Sequence, residues 1–307
     1  MKRSFKEYIT LFFKGIAMGA ADVVPGVSGG TIAFITGIYE ELIESISAFN
    51  IQTLKLLKNK GIKFAWKAVN GNFLSSLVLG IFLSVISLAK GISYLLEEEP
   101  ILLWSFFFGL VLASVLFVGK QIQIWNFKSI FFLLLAASVA YYITTLAPLV
   151  VEGGAWWFLF LSGALAVCAM ILPGISGSFI LVLLGSYKIV LEALHSKNMQ
   201  VIVIVACGAI TGLLSFSKVL KYLFHQYKNV TLASLTGFIL GSLNKIWPWK
   251  ETLSWRINSE GLKVPLRQKS VGPLQFDGDH QFVSAIFIFI VGCIFIFILD
   301  RTTRVKN

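Results

Sequence analysis

Residues 21–39, ADVVPGVSGGTIAFITGIY, return in altered form at 169–187, AMILPGISGSFILVLLGSY, and the two stretches align without a gap at an offset of 148. Pro25, Gly26, Ser28, Gly29, Gly37 and Tyr39 fall on Pro173, Gly174, Ser176, Gly177, Gly185 and Tyr187. Both copies are embedded in apolar sequence. Two Pro-Gly-x-Ser-Gly breaks at corresponding places in two hydrophobic halves are the pattern expected where irregular backbone lines an interior site.

Composition sets the solvent. The 307 residues are 57% hydrophobic and 13% charged, with apolar runs of about twenty residues, the length that crosses a bilayer. The chain therefore reads as an all-α integral membrane protein, and a soluble globule is excluded. A net charge of +11 could suggest nucleic acid, but Lys and Arg sit in short loops between apolar spans and report membrane orientation instead. Cys168, Cys207 and Cys293 lie within apolar segments without ligand spacing, so neither a disulfide framework nor a metal site is expected. Lys14 and Asp22 interrupt the first apolar stretch, which argues against a cleaved signal peptide.

Ordinary spans are expected at 73–96, 100–118, 129–147, 200–223, 231–247 and 281–299. The motif-bearing segments, 8–46 and 156–194, would each be roughly 58 Å long as continuous helix, too long for one crossing and short for two. Pro-Gly at the centre turns each back as a helical hairpin that dips into the membrane and returns to its own side. Similarity continues beyond the hairpins at an offset of 128: Gly80, Ser87, Lys90, Tyr94 and Gly109 meet Gly208, Ser215, Lys218, Tyr222 and Gly237. The change of offset is an insertion within residues 49–72 of the first half. Each unit, 8–118 and 156–247, is thus a hairpin plus two spans, with 129–147 linking them and 281–299 closing the single membrane domain after an external loop at 248–280. One linking span between units of even crossing number makes the repeat inverted. Lysines at 55, 58, 60, 63 and 67, with Arg3, Lys120, Lys128, Lys221 and Lys228, then place the N-terminus in the cytoplasm and the acidic turn Glu97–Glu99 outside.

A helix that begins inside a membrane offers unpaired N–H groups to an anion. Gly26, Ser28, Gly29, Gly30 and Thr31 in the first copy, and Gly174, Ser176, Gly177 and Ser178 in the second, supply amides and hydroxyls suited to phosphate oxygens. Because the repeat is inverted, the tips are expected to meet near the midplane. The competing reading is a pair of tight turns that let helices pack through small residues. Asp22, matched by Met170, is the one tip carboxylate. Two readings stand for it: a carrier of a coupling proton or sodium ion, or a cap for the broken helix. Lys90 and Lys218 are repeat mates and, with Lys14, are candidate cations for a phosphate, against snorkelling to the interface. Glu44 and Glu192, like Tyr39 and Tyr187, lie toward the outer end of the returning helix and read as interfacial. No HExxH, Walker loop or dinucleotide fingerprint is present, and none of the three histidines has partners at catalytic spacing, so no catalytic residue, metal or cofactor is expected beyond a coupling ion.

The stretches ADVVPGVSGGTIAFITGIYEELIESI and ILPGISGSFILVLLGSYKIVLEAL resemble the polyprenyl-phosphate translocase family, formerly a domain family of unknown function. The resemblance covers about residues 5–247, motif, spacing and both halves agreeing. It implies a multi-pass protein of the bacterial plasma membrane that moves undecaprenyl phosphate from the outer to the cytoplasmic leaflet for reuse, with that lipid and the surrounding membrane as its partners. The second copy departs from the first at Met170 and at Phe179, which follows Ser178. A small soluble-anion carrier and a membrane enzyme acting on a lipid phosphate are the rival readings.

Overall fold

The matched glycines are where the chain turns. In the computed structural model, which describes residues 3–24, 26–149, 154–257 and 263–304, Gly26 and Gly174 have φ of 89° and 92°, and Gly37 and Gly185 have φ of 69° and 72°. These left-handed values suit glycine and are costly for other residues. Pro25 lies outside the described residues.

The first half opens with α1 (Phe5–Val23), α2 (Gly29–Ile35) and α3 (Tyr39–Ser47). Two short helices, α4 (Ile51–Lys60) and α5 (Ile62–Ala68), fill the inserted segment. Then come α6 (Gly71–Glu98), α7 (Pro100–Gly119) and α8 (Phe127–Thr145). The second half repeats the order with α9 (Trp156–Ile171), α10 (Gly177–Leu183), α11 (Tyr187–His195), α12 (Met199–Gln226) and α13 (Lys228–Ser242). A 3-10 turn at Leu243–Ile246 leads to an antiparallel hairpin of β1 (Lys250–Ile257) and β2 (Lys263–Ser270), and α14 (Phe282–Arg304) ends the described chain. The protein is 78% helical. Among the described residues four helices, α6, α7, α8 and α12, are each long and apolar enough to cross a membrane, and α14 is apolar from Phe282 to Ile298.

Three details differ from the sequence reading. The returning limb of each hairpin is itself bent: α10 and α11 diverge by 109°, because Gly185 takes a positive φ and breaks the helix after Leu183. Gly37 does the same after α2; a Cβ there would meet nothing within 4 Å, so the backbone angle alone requires glycine. The expected span 231–247 is helical from Lys228 only to Ser242, then tightens to 3-10 geometry. The 248–280 loop holds the strand hairpin, whose base is pinned by Trp247 Nε1 donating to the Val271 carbonyl at 2.8 Å and Trp249 Nε1 to the His280 carbonyl at 3.0 Å.

Packing repeats as the sequence does. A Cβ on Gly15 would collide with the Leu77 carbonyl, and one on Gly80 with the Phe12 carbonyl. At the repeat mates, Gly163 abuts the Val205 carbonyl and Gly208 the Phe160 carbonyl. So α1 rides on α6 as α9 rides on α12, backbone against backbone, as small residues allow where lipid supplies no hydrophobic drive. The contacts advance together along both chains, from Arg3 over Phe73 through Gly15 at Leu77 to Gly19 at Ile81. Hence α1 and α6 are parallel, and the chain between them returns to the level where it began. α9 and α12 are parallel by the same test, with Phe160 at Gly208 and Ala164 at Gly212.

The equivalence extends one helix further than the sequence similarity. Gly109 of α7 meets the Phe289 carbonyl of α14, and its mate Gly237 of α13 meets the Leu133 carbonyl of α8. The third span of each half therefore packs on the second span of the other. One end of the bundle is tied by Arg3 to Glu41, Lys228 to Glu40 and the Gln123 amide to Asn229. Gln281 to Glu99 and Asn244 to Thr144 tie the opposite end.

These backbone approaches leave no room for a methyl group. Gly80→Ala is expected to lower stability by about 1–3 kcal/mol, the usual cost of overpacking. Gly91→Ala, where a Cβ meets nothing within 4 Å, should be neutral or gain up to about 1 kcal/mol of helix propensity. Thermal unfolding of the two variants in detergent checks the contrast.

Candidate functional site

The chain breaks bring the two hairpin tips into direct contact. Ser28 Oγ donates to the Met170 carbonyl at 2.9 Å, and the Gly174 amide donates to Thr31 Oγ1 at 2.9 Å. Residues 142 and 143 positions apart in sequence thus share one polar junction. Gly30 seats against the Ile171 and Met170 carbonyls, and Gly174 against the Ser242 side chain and the backbone of Phe238 and Ile239. Both approaches require the absence of a side chain.

The first tip is closed upon itself. Asp22 Oδ1 accepts from the Gly29 amide at 2.7 Å, Ser28 Oγ accepts from Gly30 at 3.1 Å, and the Ser28 carbonyl accepts from Thr31 at 2.9 Å. The leading amides of α2 are therefore all occupied, as a capped helix requires. Ser28, Thr31 and every residue of α2 are buried. Of the two readings of Asp22, the capping contact is present, and it leaves the carboxylate beside the tip where a coupling charge would act.

The second tip is open. Met170 stands where the first half has Asp22, and no side chain caps α10. Ser176 and Ser178 share a hydrogen bond at 2.8 Å, Ser178 is exposed, and no residue of α10 is buried. Lys245, from the 3-10 turn after α13, reaches the start of α10. Its aliphatic stem lies against Gly26 of the first tip, and its Nζ stands 4.5 Å from the centre of the Phe179 ring. The backbone of Lys245 is held in turn: Lys250 Nζ donates to its carbonyl at 2.6 Å and lies 4.0 Å from the Trp104 ring centre. Burial, and next the charge of Lys245, lower the Lys250 pKa well below its ordinary value.

The three cations expected from sequence are placed elsewhere. Lys14 Nζ donates to the Thr36 carbonyl at 2.7 Å, stapling α1 to the bend after α2. Its repeat mate Ser162 does the equivalent work through Ser186 at 2.7 Å. Lys90 and Lys218 are exposed on α6 and α12, on faces turned away from the glycine contacts, and the structure does not bring them to the tips. Lys245 was missed because the repeat gives no signal for it: its mate at an offset of 128 is Phe117. Glu44 and Tyr39 prove structural at the outer bend, Glu44 lying 3.5 Å from His225 and the Tyr39 ring packing on Phe34 and Phe224.

Residues 18–264 match the model of the VCA0040-like family, described as undecaprenyl phosphate translocase-like. A polyprenyl-phosphate transporter of Vibrio cholerae serotype O1 is 52% identical over 271 residues, covering 88% of this chain and 88% of that protein. One of Staphylococcus aureus is 31% identical over 261 residues, covering 76% of this chain and 84% of that protein. No solved structure matches. With the match running through both hairpins and both sets of spans, the chain belongs to the undecaprenyl phosphate translocase-like family.

Proposed function

We propose that this protein carries a polyprenyl phosphate across the bacterial plasma membrane, moving undecaprenyl phosphate from the outer to the cytoplasmic leaflet for reuse. The observation that carries the reading is the junction of the tips: the hydroxyls of Ser176 and Ser178 at the uncapped start of α10, with the Lys245 ammonium over Phe179 of the same helix, stand beside a capped partner tip. A phosphate there would take charge-assisted hydrogen bonds from hydroxyl, amide and ammonium, each worth about 1.5–3 kcal/mol. The polyprenyl tail has no polar group to satisfy and stays in lipid.

Parallel packing of α1 on α6 and of α9 on α12 supports an inverted repeat in which each hairpin re-enters and leaves by its own face. Lysines of α4 and α5 share an end of the bundle with Arg3 and Lys228, which supports a cytoplasmic N-terminus. Transport in this arrangement is binding, rocking of the halves and release, with no covalent step. Asp22 is the group through which a proton or sodium gradient would act. Its carboxylate repels an incoming phosphate, so neutralisation by the coupling ion favours substrate at the tip.

Two measurements test this. In proteoliposomes with a leaflet-specific assay of undecaprenyl phosphate, Ser176→Ala with Ser178→Ala, and separately Lys245→Gln, should cut transport about tenfold or more, the effect of losing about 1.4 kcal/mol of head-group binding, with thermal stability unchanged. Ser28→Ala should instead lower stability, since it strips the contacts to Met170 and Gly30. Normal flipping by the Ser176/Ser178 double variant, or movement of a small soluble anion in place of the lipid, would overturn the assignment. Asp22→Asn keeps an oxygen for the Gly29 amide and removes the charge. The variant should still move substrate down its own gradient but lose its response to an imposed proton or sodium gradient; an intact response takes Asp22 out of the coupling role.

A further inference from the structure

The halves match in sequence but not in posture. On the end of the bundle that carries the N-terminus, α3 of the first half is docked on the α12–α13 turn of the second. The Tyr39 ring lies 5.8 Å from Phe224, Glu44 lies 3.5 Å from His225, and Glu40 lies 2.7 Å from Lys228. Glu40, Glu44, Phe224, His225 and Lys228, with Ile43 and Lys221, line a cleft of about 230 Å³. Offsets of 148 for the hairpin and 128 for the spans carry this contact onto the other end: Tyr187, Lys188 and Glu192 of α11 would face Leu96, Glu97 and Pro100 at the α6–α7 turn.

That second contact is not made. α11 packs on α10 and α12 of its own half. Lys188 is exposed and pairs with Glu192 of its own helix at 3.5 Å, while Glu97 and Glu98 are exposed. Four residues of α3 are buried but only Ala193 of α11 is, and the contrast between α2 and α10 is greater still. Position for position Lys188 would meet Pro100, with the oppositely charged Glu97 three residues before it. α3 presents Glu40 to a basic turn holding His225 and Lys228. α11 presents Lys188, the mate of Glu40, and the turn it would meet is Glu97-Glu98-Glu99. Glu192, the mate of Glu44, would come to Glu97, so Lys188 would stand between two carboxylates and be needed to bridge them.

We propose that these two contacts are alternating gates. In the structure α3 is docked on the α12–α13 turn at the N-terminal end, while α11 stands undocked from the α6–α7 turn at the strand-hairpin end. The opposite state forms when α11 docks on the α6–α7 turn, with Lys188 engaging Glu97, as α3 leaves His225 and Lys228. Exchange of postures between inverted repeats gives access from either face without any new fold. The acidic turn, which the phosphate site does not use, is in this scheme the latch of the second gate.

Cross-linking tests the gates without any reference to substrate. In protein whose Cys168, Cys207 and Cys293 are replaced by Ala, one variant carries Glu40→Cys with Lys228→Cys and another Lys188→Cys with Pro100→Cys. Each also carries Ser178→Cys as a reporter. A short, reducible bis-thiol reagent applied in membranes should link both pairs. The first link should leave the reporter reactive toward a membrane-impermeant maleimide, and the second should slow its labelling about tenfold or more, the shift expected when one state is trapped. Reduction of the link should restore labelling, which separates a closed gate from a misfolded variant. The proposal is overturned if the Lys188–Pro100 pair never links in preparations where the Glu40–Lys228 pair does, or if the reporter labels equally in both linked forms.

Discussion

Backbone polar groups that leave a helix inside an apolar medium must be satisfied by protein, and the rest of this structure follows from how two such interruptions are accommodated. Neither tip could stand alone in lipid. Each is instead placed against the other, Ser28 donating to the Met170 carbonyl and Gly174 donating to Thr31. That junction needs both hairpins to reach a common depth, and depth is fixed by how α1 and α9 are seated on α6 and α12. The seating is set by Gly15, Gly80, Gly163 and Gly208, where backbone meets backbone. Small residues far from the tips therefore decide whether the tips meet.

The asymmetry between tips has a single-residue origin. Asp22 occupies the first free amide of α2, and burial of the whole helix follows because its leading donors need no water. Met170 cannot accept a hydrogen bond through its side chain in this way, so α10 keeps its donors available and remains accessible. The two halves thus differ in accessibility at their tips, and Asp22 both caps α2 and sets its carboxylate beside the junction.

Much of the fold was legible because it rests on local rules. Positive φ falls on Gly26, Gly37, Gly174 and Gly185, four glycines the repeat had already matched, and the spans follow from apolar length. The bend between α10 and α11 was marked by a matched glycine yet was read as continuous helix, since apolar content does not register a turn made by one residue. Lys90 and Lys218 had the right spacing and symmetry but the wrong rotation about their helices, a property set by which face carries Gly80 and Gly208. Lys245 was illegible for a different reason. It comes to the site through a 3-10 turn held by Lys250, Trp104 and the base of the strand hairpin, contacts that no repeat encodes.

The distribution of close contacts also indicates which parts can move. Four helix pairs, α1 with α6, α9 with α12, α7 with α14 and α8 with α13, meet through glycines pressed against carbonyls. Such interfaces lose about a quarter to a half of their dispersion energy over a gap of about 0.5–1 Å and behave as rigid units. Exchange of α8 and α14 between halves then locks the second and third spans into two mixed pairs that belong to neither half alone. Between these units lie apolar contacts such as Tyr39 on Phe224, together with exchangeable polar ones: hydrogen bonds at the tips, and ion pairs at the ends in which the side chains stay about half exposed. Ion pairs of that kind contribute roughly 0–1 kcal/mol each, and hydrogen bonds have alternatives when a phosphate arrives. The contacts that could exchange without disturbing the four close-packed pairs are thus the polar ones between them.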